Sequence, residues 1–207
     1  MLGLVIALAL QSSGQPQLPA FIRELQMAQE PQGEIEPVLL SPLFRGPFVC
    51  GEHPAGLPSV VGDALGTDCQ ILGREDQSFR RLYRNEGRLN EDWYTFGAEV
   101  LAPFDGEVVG IFANAMLNEP GTVGRPPAGV ILLRNSQGVS VFFAHVSDFA
   151  VAVGDRVRAG QMIAKVGNNG PSYAPHVHAG AYRGTTPLQI RWDQRALMSL
   201  MRGPPPR

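Results

Sequence analysis

Two of the chain's four histidines stand in one short run, Ser172-Tyr173-Ala174-Pro175-His176-Val177-His178-Ala179-Gly180. Side chains two apart in a strand leave the same face, roughly 6.5–7 Å apart along the chain, so the imidazoles of His176 and His178 can address one metal ion or one substrate. Neutral imidazole is a common zinc ligand, and unligated imidazole moves protons near neutral pH. A pair of packed polar histidines on an ordinary strand would show the same pattern, so the neighbouring segments decide between the two readings.

Those neighbours read as short strands. The 24 glycines and 18 prolines favour a turn-rich β protein over a helical bundle. Apolar runs at Glu99–Ala102, Glu107–Ala113, Gly129–Arg134, Val139–His145, Met162–Val166 and His176–Tyr182 are separated by turn residues, and Asn135-Ser136-Gln137-Gly138 closes a hairpin. Upstream, Cys69–Leu72 and Ser78–Tyr83 are expected strands, Glu34–Leu40 a strand or extended lead-in, and Phe21–Glu30 a short helix. Glycine and proline punctuate Arg45 to Gly66 so heavily that a loop is expected there. Met116 to Pro127 has the length of a rim over a groove, Asp193–Arg202 suits a final amphipathic helix, and Gly203–Arg207 is a tail.

With 207 residues and 44% hydrophobic content, one principal domain with a substantial core is expected. A net charge of −2 gives no electrostatic reason to expect nucleic acid, and no basic block suggests a membrane-binding patch. The apolar run Met1–Leu10, followed by Gln11-Ser12-Ser13-Gly14, is too short to span a bilayer and fits the core of an export signal over residues 1–14; a buried strand is the competing reading. No cysteine lies near it, so no lipid anchor is expected. A bridge between Cys50 and Cys69 would stabilise the enclosed loop by roughly 3 kcal/mol in an exported protein, whereas two buried thiols are the alternative.

Three segments occur in an informative order: Phe96-Gly97-Ala98-Glu99-Val100-Leu101-Ala102-Pro103-Phe104-Asp105-Gly106-Glu107, then Ala144-His145-Val146, then Val153-Gly154-Asp155 through Gly167-Asn168-Asn169-Gly170 into His176-Val177-His178. In that order, over about Phe96 to Tyr182, they resemble the M23 (lysostaphin/LytM-like) peptidoglycan metallopeptidases. The Gly-Asp-x-Val-x-Ala-Gly-Gln piece is also similar to lipoyl and biotinyl carrier domains, but a carrier displays its lysine at a hairpin tip and Lys165 sits within an apolar strand pattern. The resemblance implies a mainly β fold, with an antiparallel sandwich or sheet core of the barrel-sandwich hybrid type and short peripheral helices. It also implies a zinc ion (Zn2+) as cofactor, with His178 as a metal ligand and His145 and His176 assisting catalysis.

The family completes its zinc site with an upstream His-x3-Asp or similarly spaced pair, and no such motif precedes Phe96 here. The nearest match to the long-insertion form of that motif, Asp76-Gln77-Ser78-Phe79-Arg80-Arg81-Leu82, puts Asp76 at the histidine and Leu82 at the aspartate, and leucine cannot ligate zinc. Asp92, His53 and Asp68 are the other candidates to complete the site, and Arg80, Arg81 and Arg84 on the expected ligand strand could instead attract a carboxylate.

Two functions are therefore expected: a zinc endopeptidase hydrolysing cell-wall peptide cross-links, or a non-catalytic relative that binds peptidoglycan peptides or regulates another cell-wall hydrolase. Either would be exported, periplasmic or extracellular, with no stable membrane anchor and no nucleic-acid partner. The expected division is 1–14 signal, 15–75 N-terminal extension, 76–190 M23-like core and 191–207 helix and tail.

Overall fold

Short apolar runs bounded by turn residues pair as antiparallel ladders, and the end of one ladder carries the histidine pair. The computed structural model describes residues 20–21, 31, 33–55, 63–74 and 79–202. The expected export signal, residues 22–30 of the expected first helix, Asp76 and the tail lie outside them. The strands are β1 (Pro37–Leu40), β2 (Phe48–Glu52), β3 (Thr67–Ile71), β4 (Glu99–Leu101), β5 (Gly106–Phe112), β6 (Val130–Arg134), β7 (Val139–Ala144), β8 (Val146–Ser147), β9 (Arg156–Val157), β10 (Met162–Val166), β11 (Val177–Arg183) and β12 (Thr186–Trp192). Helix α1 (Gln194–Arg202) follows. The protein is mainly β, as expected.

A nine-stranded sheet runs β1-β12-β11-β7-β6-β5-β9, with the β2–β3 hairpin joined to it through β3. A three-stranded sheet, β4-β10-β8, packs against it. β1 and β12 pair in parallel, and the other ladders are antiparallel. Val139, Val141 and Phe143 of β7 and Val177, Ala179 and Ala181 of β11 face the main core with Val100, Ile163 and Leu188. By the two-residue period of a strand, Phe142, Ala144 and His178 must face the other way, where Val130 and Leu132 also lie. The β6–β7 hairpin closes at Asn135–Gly138, where Gly138 donates its N–H to Asn135 at a φ of 76°, a left-handed value that glycine adopts without a Cβ penalty.

β12 covers only one half of the free edge of β11, pairing with residues 181–183, and β3 covers the other half, opposite residues 177–179. This division of one edge sets His178 across from Asp68.

The structure departs from the sequence expectations in three places. β2 forms inside the stretch expected to be a loop, because its backbone pairs with β3 along five residues and Cys50 and Cys69 face each other in a disulfide. No strand forms over residues 79–83, where only isolated bridges, Gly73 to Arg81 and Tyr83 to Trp93, occur. β12 was not expected; it starts with a proline at its second position and is polar at several others. Lys165, as expected, lies within a strand: β10, between β4 and β8.

Candidate active site

Each functional side chain is placed by a strand end. β11 aims His178 into a cleft of 650 Å³ whose floor and walls include Val130, Phe142, Ala144, Trp93 and Tyr173, and no lysine or arginine is among the described residues lining it. His176 immediately precedes β11 and leaves on the same side, since Val177 between them is buried in the core. His145 follows β7 with a φ of 62°. A non-glycine residue in that region is strained by about 1–3 kcal/mol and needs its surroundings to hold it. Here the Gly167 N–H donates to its carbonyl at 2.9 Å, and the Val146 N–H beside it is tied to Gly129.

The ring hydrogen bonds fix how the imidazoles are presented. His145 Nδ1 lies 2.7 Å from the Asn169 carbonyl and His176 Nδ1 2.8 Å from the Ala174 carbonyl. A carbonyl only accepts, so both Nδ1 atoms carry hydrogen; the Nε2 of His145 is left for the cleft, and that of His176 lies 3.4 Å from Asp68 Oδ1. The two rings stand 4.5 Å apart, and His145 and His178 6.2 Å apart. Asn169, fully buried, is itself held by the Gly129 N–H and the Val146 carbonyl, and Asn168 and Ser172 tie the loop before His176 to Asn90 and Asn118.

The other side of the cleft is the β2–β3 hairpin. Asp68 Oδ1 is 2.7 Å from His178 Nδ1, and its Oδ2 is 3.3 Å from Nε2 of His53, the residue after β2. Asp63 Oδ1 approaches the opposite nitrogen of His178, Nε2, at 2.5 Å. The His53 and His178 rings stack at 5.0 Å.

Charge follows from these contacts. Burial lowers the His178 pKa, but the hydrogen bonds and charges of Asp63 and Asp68 outweigh it and push the value up to about 9. Burial first, then the charge of His176, lowers His145 to about 3, so it stays neutral. Burial raises Asp68, yet hydrogen bonds from His176 and His178 outweigh it and hold the carboxyl well below the usual carboxylate range.

Donor atoms of His53, Asp68 and His178 lie within 4.8 Å of one another, the one such group found among the described residues. Two imidazoles and a carboxylate are a donor set that suits zinc with a fourth position open. The one buried side-chain nitrogen or oxygen without a hydrogen-bond partner among the described residues is Nδ1 of His53, on a ring of this group. The residues present therefore fit the ion.

His145, His176 and His178 are brought together, with His53 and Asp68 beside them. Asp92 is not: it lies buried in a turn, accepting hydrogen bonds from the Asn85 side chain and the Leu89 N–H. Asp76 lies outside the described residues, and Leu82 sits in the bridged segment rather than beside β11. Arg80 donates to the Leu72 carbonyl and Arg84 lies over the Tyr94 ring, so neither lines the cleft. Asp63 was missed altogether; the available signal was a second carboxylate five positions before Asp68.

A β-sheet scaffold carries a histidine- and aspartate-lined cleft at one strand end, and the sequence match adds to that reading. Residues 92–190 match the model of peptidase family M23. The match begins at Asp92, so β1, β2 and β3, with His53, Asp63 and Asp68, lie upstream of it. An uncharacterized metalloprotease of Haemophilus influenzae is 32% identical over 98 residues, 46% of this chain and 19% of that protein. The glycyl-glycine endopeptidase ALE-1 of Staphylococcus capitis is 39% identical over 83 residues, 40% of this chain and 20% of that protein. The chain thus spans about a fifth of the length of these curated relatives. A zinc-containing peptidase from Vibrio cholerae superposes with a TM-score of 0.43 at 19% identity, covering 70% of this chain and 38% of that one.

Proposed function

We propose that the protein is a zinc endopeptidase of the exported compartment that hydrolyses peptide cross-links of bacterial peptidoglycan. The observation that carries this reading is the convergence of His53, Asp68 and His178 beside His145 and His176. The family match supports the reaction class, and the name of the staphylococcal relative, a glycyl-glycine endopeptidase, supports a peptide bond between small residues as substrate. The disulfide supports an oxidising compartment.

In this reading His53, Asp68 and His178 hold zinc, which when bound polarises the scissile carbonyl and lowers the pKa of water. The apolar walls from Val130, Phe142 and Trp93 bind the peptide and exclude bulk water. Charging His145 in its buried site is unfavourable, so its Nε2 lone pair accepts a hydrogen bond and orients the attacking water. His176, less buried and with its Nδ1–H anchored on Ala174, takes the water's proton at Nε2, where Asp68 Oδ1 lies 3.4 Å away to stabilise the charge, and delivers it to the departing amide nitrogen.

Purified full-length protein expressed with ample zinc should hold about one equivalent per chain and cleave purified cell wall in a chelator-sensitive manner. His178→Ala and His53→Ala should each lose metal and cleavage together. A wild-type protein with no tightly bound zinc sinks the proposal; one that binds zinc and wall peptides but cuts nothing supports a binding or regulatory relative instead.

A further inference from the structure

His178 is gripped from both sides, and only one side belongs to the metal-ligand group. Asp68, whose other oxygen meets His53, stands at Nδ1, while Asp63 stands at Nε2 and is not part of that group. A ring nitrogen whose partner nitrogen binds a metal commonly donates its hydrogen to a carboxylate, which fixes the tautomer, aims the ring and raises its basicity.

We infer that Asp63 is a positioning residue that holds His178 through its Nε2–H, presenting Nδ1 to the metal; this rests on the zinc reading above. The local structure is built for the contact. Asp63 opens a turn in which its own carbonyl accepts the Gly66 N–H at 2.9 Å, and the Gly66 carbonyl in turn accepts the His53 N–H at 2.9 Å. One four-residue turn thereby clamps the carboxylate and the backbone of a ligand residue together. Asp63 is 8% exposed, so its carboxylate is committed to this contact rather than to solvent. Gly66 leaves the necessary room: a Cβ there would strike Asp63 Oδ1 and come within 3.1 Å of His178 Cε1. The contact joins a turn upstream of the family match to a histidine within it.

Zinc release is the discriminating measurement, because protons compete with uptake of the metal but not with its departure. Full-length protein loaded with zinc is mixed with excess chromophoric chelator, and the cobalt-substituted protein gives a visible spectrum that reports ligand geometry. Asp63→Ala should release zinc on the order of 10–100-fold faster than wild type and shift the cobalt bands. Asp63→Asn keeps an acceptor for Nε2–H without the charge, and should fall between the two. Should Asp63→Ala not fold, the Asn variant alone decides. Release within twofold of wild type in the folded variants overturns the inference while leaving the zinc reading intact. Loss of all zinc in Asp63→Asn, with zinc retained in Asp68→Ala, overturns it by making Asp63 the ligand. A wild-type protein that takes up no zinc overturns both.

Discussion

Breaking the Cys50–Cys69 bridge tests whether the β2–β3 hairpin is what holds one side of the site. The two cysteines are 19 apart and face each other across the hairpin, flanked by the Gly51–Asp68 pair and, one residue past β2, by His53. Closing a loop of about 20 residues removes roughly 11 cal/mol/K from the unfolded chain in the entropy model, or about 3 kcal/mol at 25 °C. For a chain of this size that corresponds to a fall of roughly 6–12 °C in melting temperature. Cys50→Ala is the cleaner perturbation, because Cys69 is fully buried and stays in place as a packed thiol. The assay is paired: thermal unfolding of wild type, reduced wild type and Cys50→Ala, each without and with zinc, followed by zinc release to a chelator. Loosening the hairpin should speed release, since His53 and Asp68 lie on its two arms, while His145 and His176 are anchored independently by Asn169 and Ala174. A variant that melts within about 2 °C of wild type and releases zinc at the same rate would refute the argument that this hairpin depends on its cross-link.

The remaining predictions concern the histidines and their supports. His145→Ala should keep zinc yet lower the cleavage rate on the order of 10²–10⁴-fold, read as kcat alongside metal content; loss of zinc would place His145 among the ligands. Asn169→Ala removes the side-chain partners of the Gly129 N–H and the Val146 carbonyl in a fully buried position. It should destabilise the protein by about 1–3 kcal/mol, measured by urea unfolding, and an unchanged midpoint would contradict the assignment of Asn169 as a structural anchor for the His145 loop.

Much of this arrangement could be read from the sequence, and the part that could not has a physical cause. The strands from Glu99 to Tyr182 announce themselves because each is a short apolar run between turn residues, and because the histidine pair keeps the two-residue period that puts both rings on one face. The upstream half is silent for the opposite reason. β2 carries a glycine and alternates weakly, and its stability comes from long-range pairing with β3 and from the disulfide, neither of which leaves a local pattern. His53 and Asp68 are fifteen positions apart, so no fixed-spacing motif could join them; only the register that sets Gly51 against Asp68 and Asp68 against His178 does so.

That register also sets an observable pH signature. In the metal-free protein His178 has its pKa raised from 6.5 to about 9, so the stability it confers is fully present below about pH 6.5 and is lost as pH rises through about 9. His145 is lowered to about 3, so the folded state resists a proton that the unfolded chain accepts, and stability falls as pH drops from about 6.5 toward 3. Asp68, held below its ordinary value, adds to the acid limb, its contribution being lost as pH falls. The chelator-treated protein should therefore be most stable near pH 6.5 and melt at lower temperature on either side. Zinc removes the alkaline limb alone, because a ligating His178 has already given up its proton at Nδ1. Melting curves from pH 4 to 10, with chelator and with zinc, separate the two limbs. A chelator-treated protein whose melting temperature is flat from pH 7 to 9 would mean that His178 is not gripped between Asp63 and Asp68 in solution, and the metal-ligand geometry built on that grip would fall with it.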